Sequence, residues 1–155
     1  MIFDPGTERG AHALERLRTA AAAWLTTVTP DGQPQSMPVW FVWLSGEAGD
    51  GGTDPAGPAE EILVYGDHRA RRNRNLEVHP KVALHLPDNG LGQDIVTIEG
   101  TARIDPELPP PGEHAAYWAK YGEWIDRIMG GAAKFGQTYS MPIRITPTRG
   151  VTFQG

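Results

Sequence analysis

Pro34-Gln35-Ser36-Met37-Pro38-Val39-Trp40-Phe41-Val42-Trp43-Leu44 is the stretch on which the fold turns. Met37, Val39, Phe41 and Trp43 on one parity, and Trp40, Val42 and Leu44 on the other, are apolar. That is the pattern of a strand covered on both faces. Pro38 has no N–H to give to a ladder and belongs at an edge or a bulge. A deeply packed strand with one length of unpaired backbone is therefore expected, and free backbone groups need partners. A flat ligand with polar edges would supply them. A core strand with an edge proline is the plainer alternative, and this stretch alone leaves both open.

Working outward, Ala22 to Thr29 reads as the preceding strand, and Pro30-Asp31-Gly32 is turn chemistry that makes the pair a hairpin. Upstream, Thr7 is placed to cap a helix reaching about Arg18, with Ala11, Leu14, Leu17 and Ala21 at helical spacing. Downstream, Ser45 to Glu60 is rich in Gly, Pro, Asp and Ala and reads as a surface loop. Glu61 to Tyr65 is a short strand, and Asp67 is placed to cap a helix over Arg69 to His79 that Pro80 stops. Lys81 to Leu86 is a strand. From Asp94 to Ile104, Val96, Ile98, Gly100, Ala102 and Ile104 alternate with Thr97, Glu99, Thr101 and Arg103. Pro109-Pro110-Pro111 is a stiff connector, and Glu113 to Met129 is helical until Gly130-Gly131. Its Tyr117, Trp118, Tyr121 and Trp124 suit a core or a second subunit. Tyr139 to Thr146 and Val151 to Phe153 are the closing strands. So many short strands with isolated helices predict a mainly β fold, a closed or nearly closed antiparallel barrel that removes exposed edges.

A chain of 155 residues is one domain by length, spanning 1–155. The 39% hydrophobic and 21% charged content is that of a globular protein, and nineteen glycines with fourteen prolines favour turns. No cysteine means no disulfide, thiolate metal site or cysteine nucleophile, which suits the cytoplasm. The beginning of the chain lacks the basic and apolar regions of a signal peptide, and no run nears the roughly 20 apolar residues of a membrane span. A net charge of −5 argues against nucleic acid. Five histidines show no metal-ligand spacing, and no serine elbow, P-loop or G-x-G-x-x-G occurs.

Positive charge is instead local, with four arginines between Arg69 and Arg74 in a run whose one acid is Glu77. Arg71, Arg74, Asn75 and Val78 fall along one side of a helix, and Arg69, Arg72 and Leu76 along another. Guanidinium groups suit phosphate or carboxylate, so the run is either an anion site or a solvated basic face.

Ala23-Trp24-Leu25-Thr26-Thr27-Val28, Asp31-Gly32-Gln33-Pro34 and Pro38-Val39-Trp40-Phe41 together resemble the pyridoxamine 5′-phosphate oxidase-like flavin-binding split barrels. Ile62 to Tyr65, Arg72-x-Arg74-Asn75-Leu76, His79 to His85 and Val96-x-x-Glu99-Gly100 continue the likeness in order. Tyr139-Ser140-x-Pro142-Ile143-Arg144-Ile145-Thr146-Pro147 resembles the branch dependent on the deazaflavin coenzyme F420.

The resemblance implies a six-stranded antiparallel split β-barrel, a homodimer, and a cofactor at the subunit interface. It places Ser36, Met37, Pro38, Val39, Trp40 and Phe41 beside the ring, with Tyr65 as a pocket wall. Trp40 and Trp43 are further wall candidates. Arg71, Arg72, Arg74 and Asn75 are implied to hold the phosphate and acidic tail. Arg72 stands where a lysine is frequent, and the loop over 45–60 is longer than usual. The expected function is an F420-dependent reductase passing a hydride to a small conjugated acceptor, with no protein nucleophile. Alternatives on the same fold are an FMN-dependent oxidase-like enzyme and a carrier of flavin, deazaflavin or haem.

Overall fold

The computed structural model describes residues 1–45 and 60–155. The expected loop over 45–60 therefore lies, except for its two end residues, outside the described part. In chain order the elements are α1 (Glu8–Thr19), β1 (Ala23–Val28), β2 (Pro34–Val39), β3 (Val42–Leu44), β4 (Glu61–Gly66), α2 (Arg72–Val78), β5 (Lys81–His85), β6 (Ile95–Ile104), α3 (Ala115–Ile128), α4 (Ala132–Thr138) and β7 (Met141–Phe153). Thr7 caps α1 as expected, its hydroxyl accepting from the Gly10 N–H at 3.1 Å. No helix among the described residues is long and apolar enough to cross a membrane.

The strands form one antiparallel sheet in the order β2-β1-β5-β6-β7-β4-β3. The stretch over 34–44 is not the single strand expected. It breaks after Val39, and its halves become the two edge strands of the sheet. Only Trp40 and Phe41 join those edges, so Val39 and Val42 lie within about 11 Å of each other. The sheet must curl until its edges meet, giving a split antiparallel barrel with its seam at residues 40 and 41. With this stretch split in two and the two expected closing strands joined as β7, the sheet has seven strands where the resemblance implies six.

The first half of that stretch is not deeply packed. Pro34 to Pro38 are all exposed, and burial begins at Val39. Apolar residues of both parities in 34–44 come from two different environments, not from one strand covered on both faces.

Inside the barrel, inward residues of successive strands meet across the register. Leu25 lies opposite Leu84, Leu84 opposite Ile98, and Ala102 opposite Ile145, all buried. Leu14 and Leu17 of α1 and Leu76 of α2 join this core. The alternation over 95–104 is as expected, with Val96, Ile98, Gly100 and Ala102 buried. A Cβ at Gly100 would stand 2.7 Å from the Thr146 carbonyl oxygen, at a register shift between Glu99 and Gly100. That shift lets β7 run unbroken through Pro147, where two separate strands were expected.

A second core lies outside the barrel. Tyr117, Tyr121 and Ile125 of α3 and Phe135 of α4 pack on Val42, Leu44, Leu63 and Tyr65. Tyr121 also fastens the seam. Its hydroxyl accepts from the Phe41 N–H at 2.9 Å and lies 2.8 Å from the carbonyls of both Phe41 and Ala21. The Lys120 ammonium donates to the Phe41 carbonyl at 2.8 Å and lies 4.1 Å over the Phe41 ring. Burial lowers the Lys120 pKa to about 8.

Candidate functional site

The segment leaving β4 is built to hold one arginine in place. The Asp67 carboxylate accepts from the Arg69 backbone at 2.8 Å, and its carbonyl accepts from Ala70 at 3.0 Å. Asn73 donates to the carbonyls of Asp67 and His68. Asp67 thus caps a turn, and α2 begins at Arg72, later than the expected Arg69. One turn further on, Asn75 is buried and donates to the Thr27 hydroxyl at 3.0 Å and the Gln35 side-chain oxygen at 3.3 Å. α2 is thereby pinned to β1 and β2.

Between β2 and this segment lies a cleft of about 700 Å³. Leu25, Thr27, Gln35, Ser36, Met37 and Pro38 form one wall, and Asp67, Ala70, Arg71, Arg72 and Tyr139 the other. Pro38, Arg72 and Tyr139 also border a second cavity of about 210 Å³, with Ala22, Val39, Trp40, Tyr65, Tyr117, Met129 and Phe135. The two spaces therefore meet at Pro38, Arg72 and Tyr139.

The four arginines have separate fates. Arg69 pairs with Asp67 at 3.0 Å, and its hydrogen bonds draw the Asp67 pKa down to about 2. Arg71 is exposed on the cleft wall, while Arg74 is exposed and borders neither cavity. Arg72 is half-buried, and among the described residues its Nε has no hydrogen-bond partner and its guanidinium no ion pair within 4 Å. Burial holds its pKa below the usual arginine value. A half-buried cation with no acid in contact, acted on only at longer range by the Asp67 carboxylate that Arg69 already engages, fits an anionic group at the junction of two cavities.

Of the residues expected at the site, the structure brings Ser36, Met37, Pro38, Val39, Trp40, Tyr65, Arg71 and Arg72 to the two spaces. Phe41 is instead fully buried in the barrel, its backbone held by Tyr121 and Lys120. Asn75 and Arg74 border neither cavity, and Trp43 lies in the barrel core. The Ser36 hydroxyl shares a 2.5 Å hydrogen bond with Thr26. Sequence reasoning missed Tyr139, Phe135 and Met129, which come from α4 and its flanks. Nothing short of the fold marks them, because α4 is only seven residues long. Tyr117, one of the aromatics suited to a core or an interface, packs in the outer core and borders the smaller cavity.

The walls are aromatic and braced. Trp40 stacks on Tyr121 with ring centres 4.7 Å apart, and Phe135 stacks on Tyr139 at 4.5 Å. Tyr65 meets Tyr117 edge-on at 4.8 Å and donates to the Pro109 carbonyl at 2.5 Å. Burial raises the Tyr65 pKa to about 12, so it remains a phenol.

The family described as pyridoxamine 5′-phosphate oxidase matches residues 10–152. None of the curated proteins matches the chain. Among solved structures, a conserved hypothetical protein from Mycobacterium tuberculosis is 20% identical with a TM-score of 0.66, over 96% of this chain and 84% of that one. An F420 reductase is 24% identical with a TM-score of 0.55, over 87% of this chain and 91% of that one. The heme storage protein from Vibrio cholerae is 21% identical with a TM-score of 0.55, over 99% and 98%. At these identities the likeness is one of fold.

Proposed function

This chain belongs to the pyridoxamine 5′-phosphate oxidase family, and from that premise we propose that it is an oxidoreductase dependent on coenzyme F420. The observation that carries the reading is Arg72, a half-buried guanidinium with no acid in contact among the described residues, placed where the larger cleft meets the aromatic cavity. Arg72 holds the anionic tail, with Arg71 adding charge at the cleft wall. β2 supplies edge backbone at Ser36 and Pro38, and an edge strand carries groups that no neighbouring strand satisfies. Trp40, Phe135 and Tyr139 exclude water from the junction. A reduced deazaflavin held there would supply hydride to a small conjugated acceptor. The protein contributes orientation, charge and a dry wall.

F420 carries more negative charge on its tail than FMN. Titration of the purified protein is expected to give tighter binding of F420 than of FMN, with affinity falling as salt rises. Tighter FMN binding would transfer the reading to an FMN-dependent enzyme, and preferential haem binding to a carrier.

The proposed oligomer is a homodimer. Trp24, His85, Thr97 and Val151 lie opposite one another across β1, β5, β6 and β7, so they share the outer face of the sheet. Trp24 is 40%, Val151 43% and Phe153 49% exposed. This row, apolar at its Trp24 and Val151 ends, adjoins Pro38, the register partner of Trp24, and so borders the cleft. Of the α3 aromatics, Tyr117 and Tyr121 are buried within the protomer, while Trp124 and Ile128 of the same helix are exposed. Sedimentation is expected to give about twice the 16.9 kDa chain mass, and Trp24→Glu is expected to give monomer. A monomeric wild-type protein would remove the shared-cleft arrangement.

A further inference from the structure

The three lysines of the chain differ sharply in setting. Lys81 and Lys134 are exposed, whereas Lys120 of α3 is half-buried at the barrel seam. Its Nζ donates to the Phe41 carbonyl at 2.8 Å and stands 4.1 Å over the Phe41 ring and 5.3 Å over that of Tyr121. The acid nearest along the helix, Glu123, is exposed and holds Arg127 at 3.1 Å. One carbonyl and two ring faces therefore make up the surroundings of the amine. The rings attract the ammonium, but burial without a counter-charge opposes it. A neutral amine could keep one N–H on the carbonyl and leave its lone pair free. Around it on the same helix, Ala119, Glu123 and Trp124 are exposed, so one side of the site opens to solvent.

We propose that Lys120 is a covalent capture site for small, uncharged aldehydes, which it holds as an imine at the seam. A lysine desolvated among apolar groups is an activated nucleophile. The geometry accords with the effect of burial, which lowers the Lys120 pKa to about 8 with no charged group contributing. At pH 7.5 about a quarter of such amines are neutral, against roughly 0.1% for an ordinary lysine. The neutral nitrogen attacks the aldehyde carbon and a C–N bond forms. The carbonyl oxygen then leaves as water with both amine protons, and nothing is oxidised or reduced. The imine nitrogen has no proton to donate, so the Phe41 carbonyl keeps only the Tyr121 hydroxyl, 2.8 Å away. Half-burial against two rings limits the size of the aldehyde, and the lack of a charged neighbour gives an ionic one no advantage. The site stands apart from both cavities and does not depend on the cofactor reading.

The test treats the purified full chain at pH 7.5 with limiting acetaldehyde and cyanoborohydride, which reduces the imine to a stable ethylamine. Peptide mass spectrometry then reads the label on each lysine. Lys120 is expected to be labelled about tenfold faster than Lys81 or Lys134, a smaller margin than the neutral fractions alone allow because burial slows approach. The ratio is expected to fall toward one at about pH 10, where an ordinary lysine also gains neutral amine. It is expected to fall likewise in concentrated urea at pH 7.5, where the seam no longer exists. Labelling of Lys120 no faster than that of the two exposed lysines would overturn the site. So would a ratio that persists at the higher pH or in urea.

Discussion

Arg72→Ala is expected to weaken F420 binding by about tenfold to a hundredfold. Removing a charge-assisted hydrogen bond costs about 1.5–3 kcal/mol, and each 1.4 kcal/mol is a factor of ten. Arg72 is the arginine of the run that is both half-buried and without an acid, so its loss cannot be made up by Arg69, which Asp67 holds. Arg71 lies on the wall of the larger cleft, with its side chain in solvent, where screening weakens its pull. The fold should be indifferent, because the side chain supports no ion pair and leaves its own Nε unsatisfied. Melting temperature is therefore expected to stay level or rise. Arg74→Ala is the control, since Arg74 borders neither cavity and its change should fall within about twofold, as for exposed charges. Fluorescence titration of both variants decides the matter. Wild-type affinity in Arg72→Ala would return the arginine run to an ordinary basic face.

Tyr121→Phe is expected to destabilise the fold by about 2–4 kcal/mol. The phenylalanine keeps the ring and its stack on Trp40. It loses the oxygen that accepts from the Phe41 N–H and reaches the Ala21 carbonyl, both at the barrel seam. A buried backbone group left without a partner costs about 1–3 kcal/mol. Lys120 still serves the Phe41 carbonyl, so the N–H bears most of the loss. At this chain length each kcal/mol moves the midpoint by roughly 2–4 °C, which gives a fall of about 5–15 °C. Tyr65→Phe loses a single bond to a proline connector and should fall much less. A Tyr121→Phe protein that melts within about 2 °C of the wild type would show that the seam is held by packing alone.

The parts of the fold that could be read from sequence are those where one local rule governs. The alternation over 95–104 and the Thr7 cap are such places, and the structure has both. The stretch over 34–44 could not be read that way. Periodicity assumes a straight strand in one environment, whereas this one changes sides at Trp40 without a glycine to announce the bend. Asp67 shows a related limit, because a side chain able to cap a helix can equally close the turn before it, and backbone context decides between them. For the site, Pro38 and the arginine run were visible as chemistry in excess of local need. Arg72 could not be told from Arg74 until burial was known. Tyr139 and Phe135 reach the cavity through tertiary packing of a seven-residue helix, for which a sequence window holds too few turns.

Pro34 and Pro38 carry one further consequence. Residues four apart in a strand direct their backbone groups to the same side, so both prolines remove donors from a single margin of β2, leaving Ser36 as the donor between them. Prolines are tolerated where that margin faces away from the ladder. A foreign strand approaching there would find acceptors with almost nothing to donate to it. The feature that keeps a length of backbone open for a small molecule therefore also denies it to another polypeptide, and guards an exposed sheet border against aggregation.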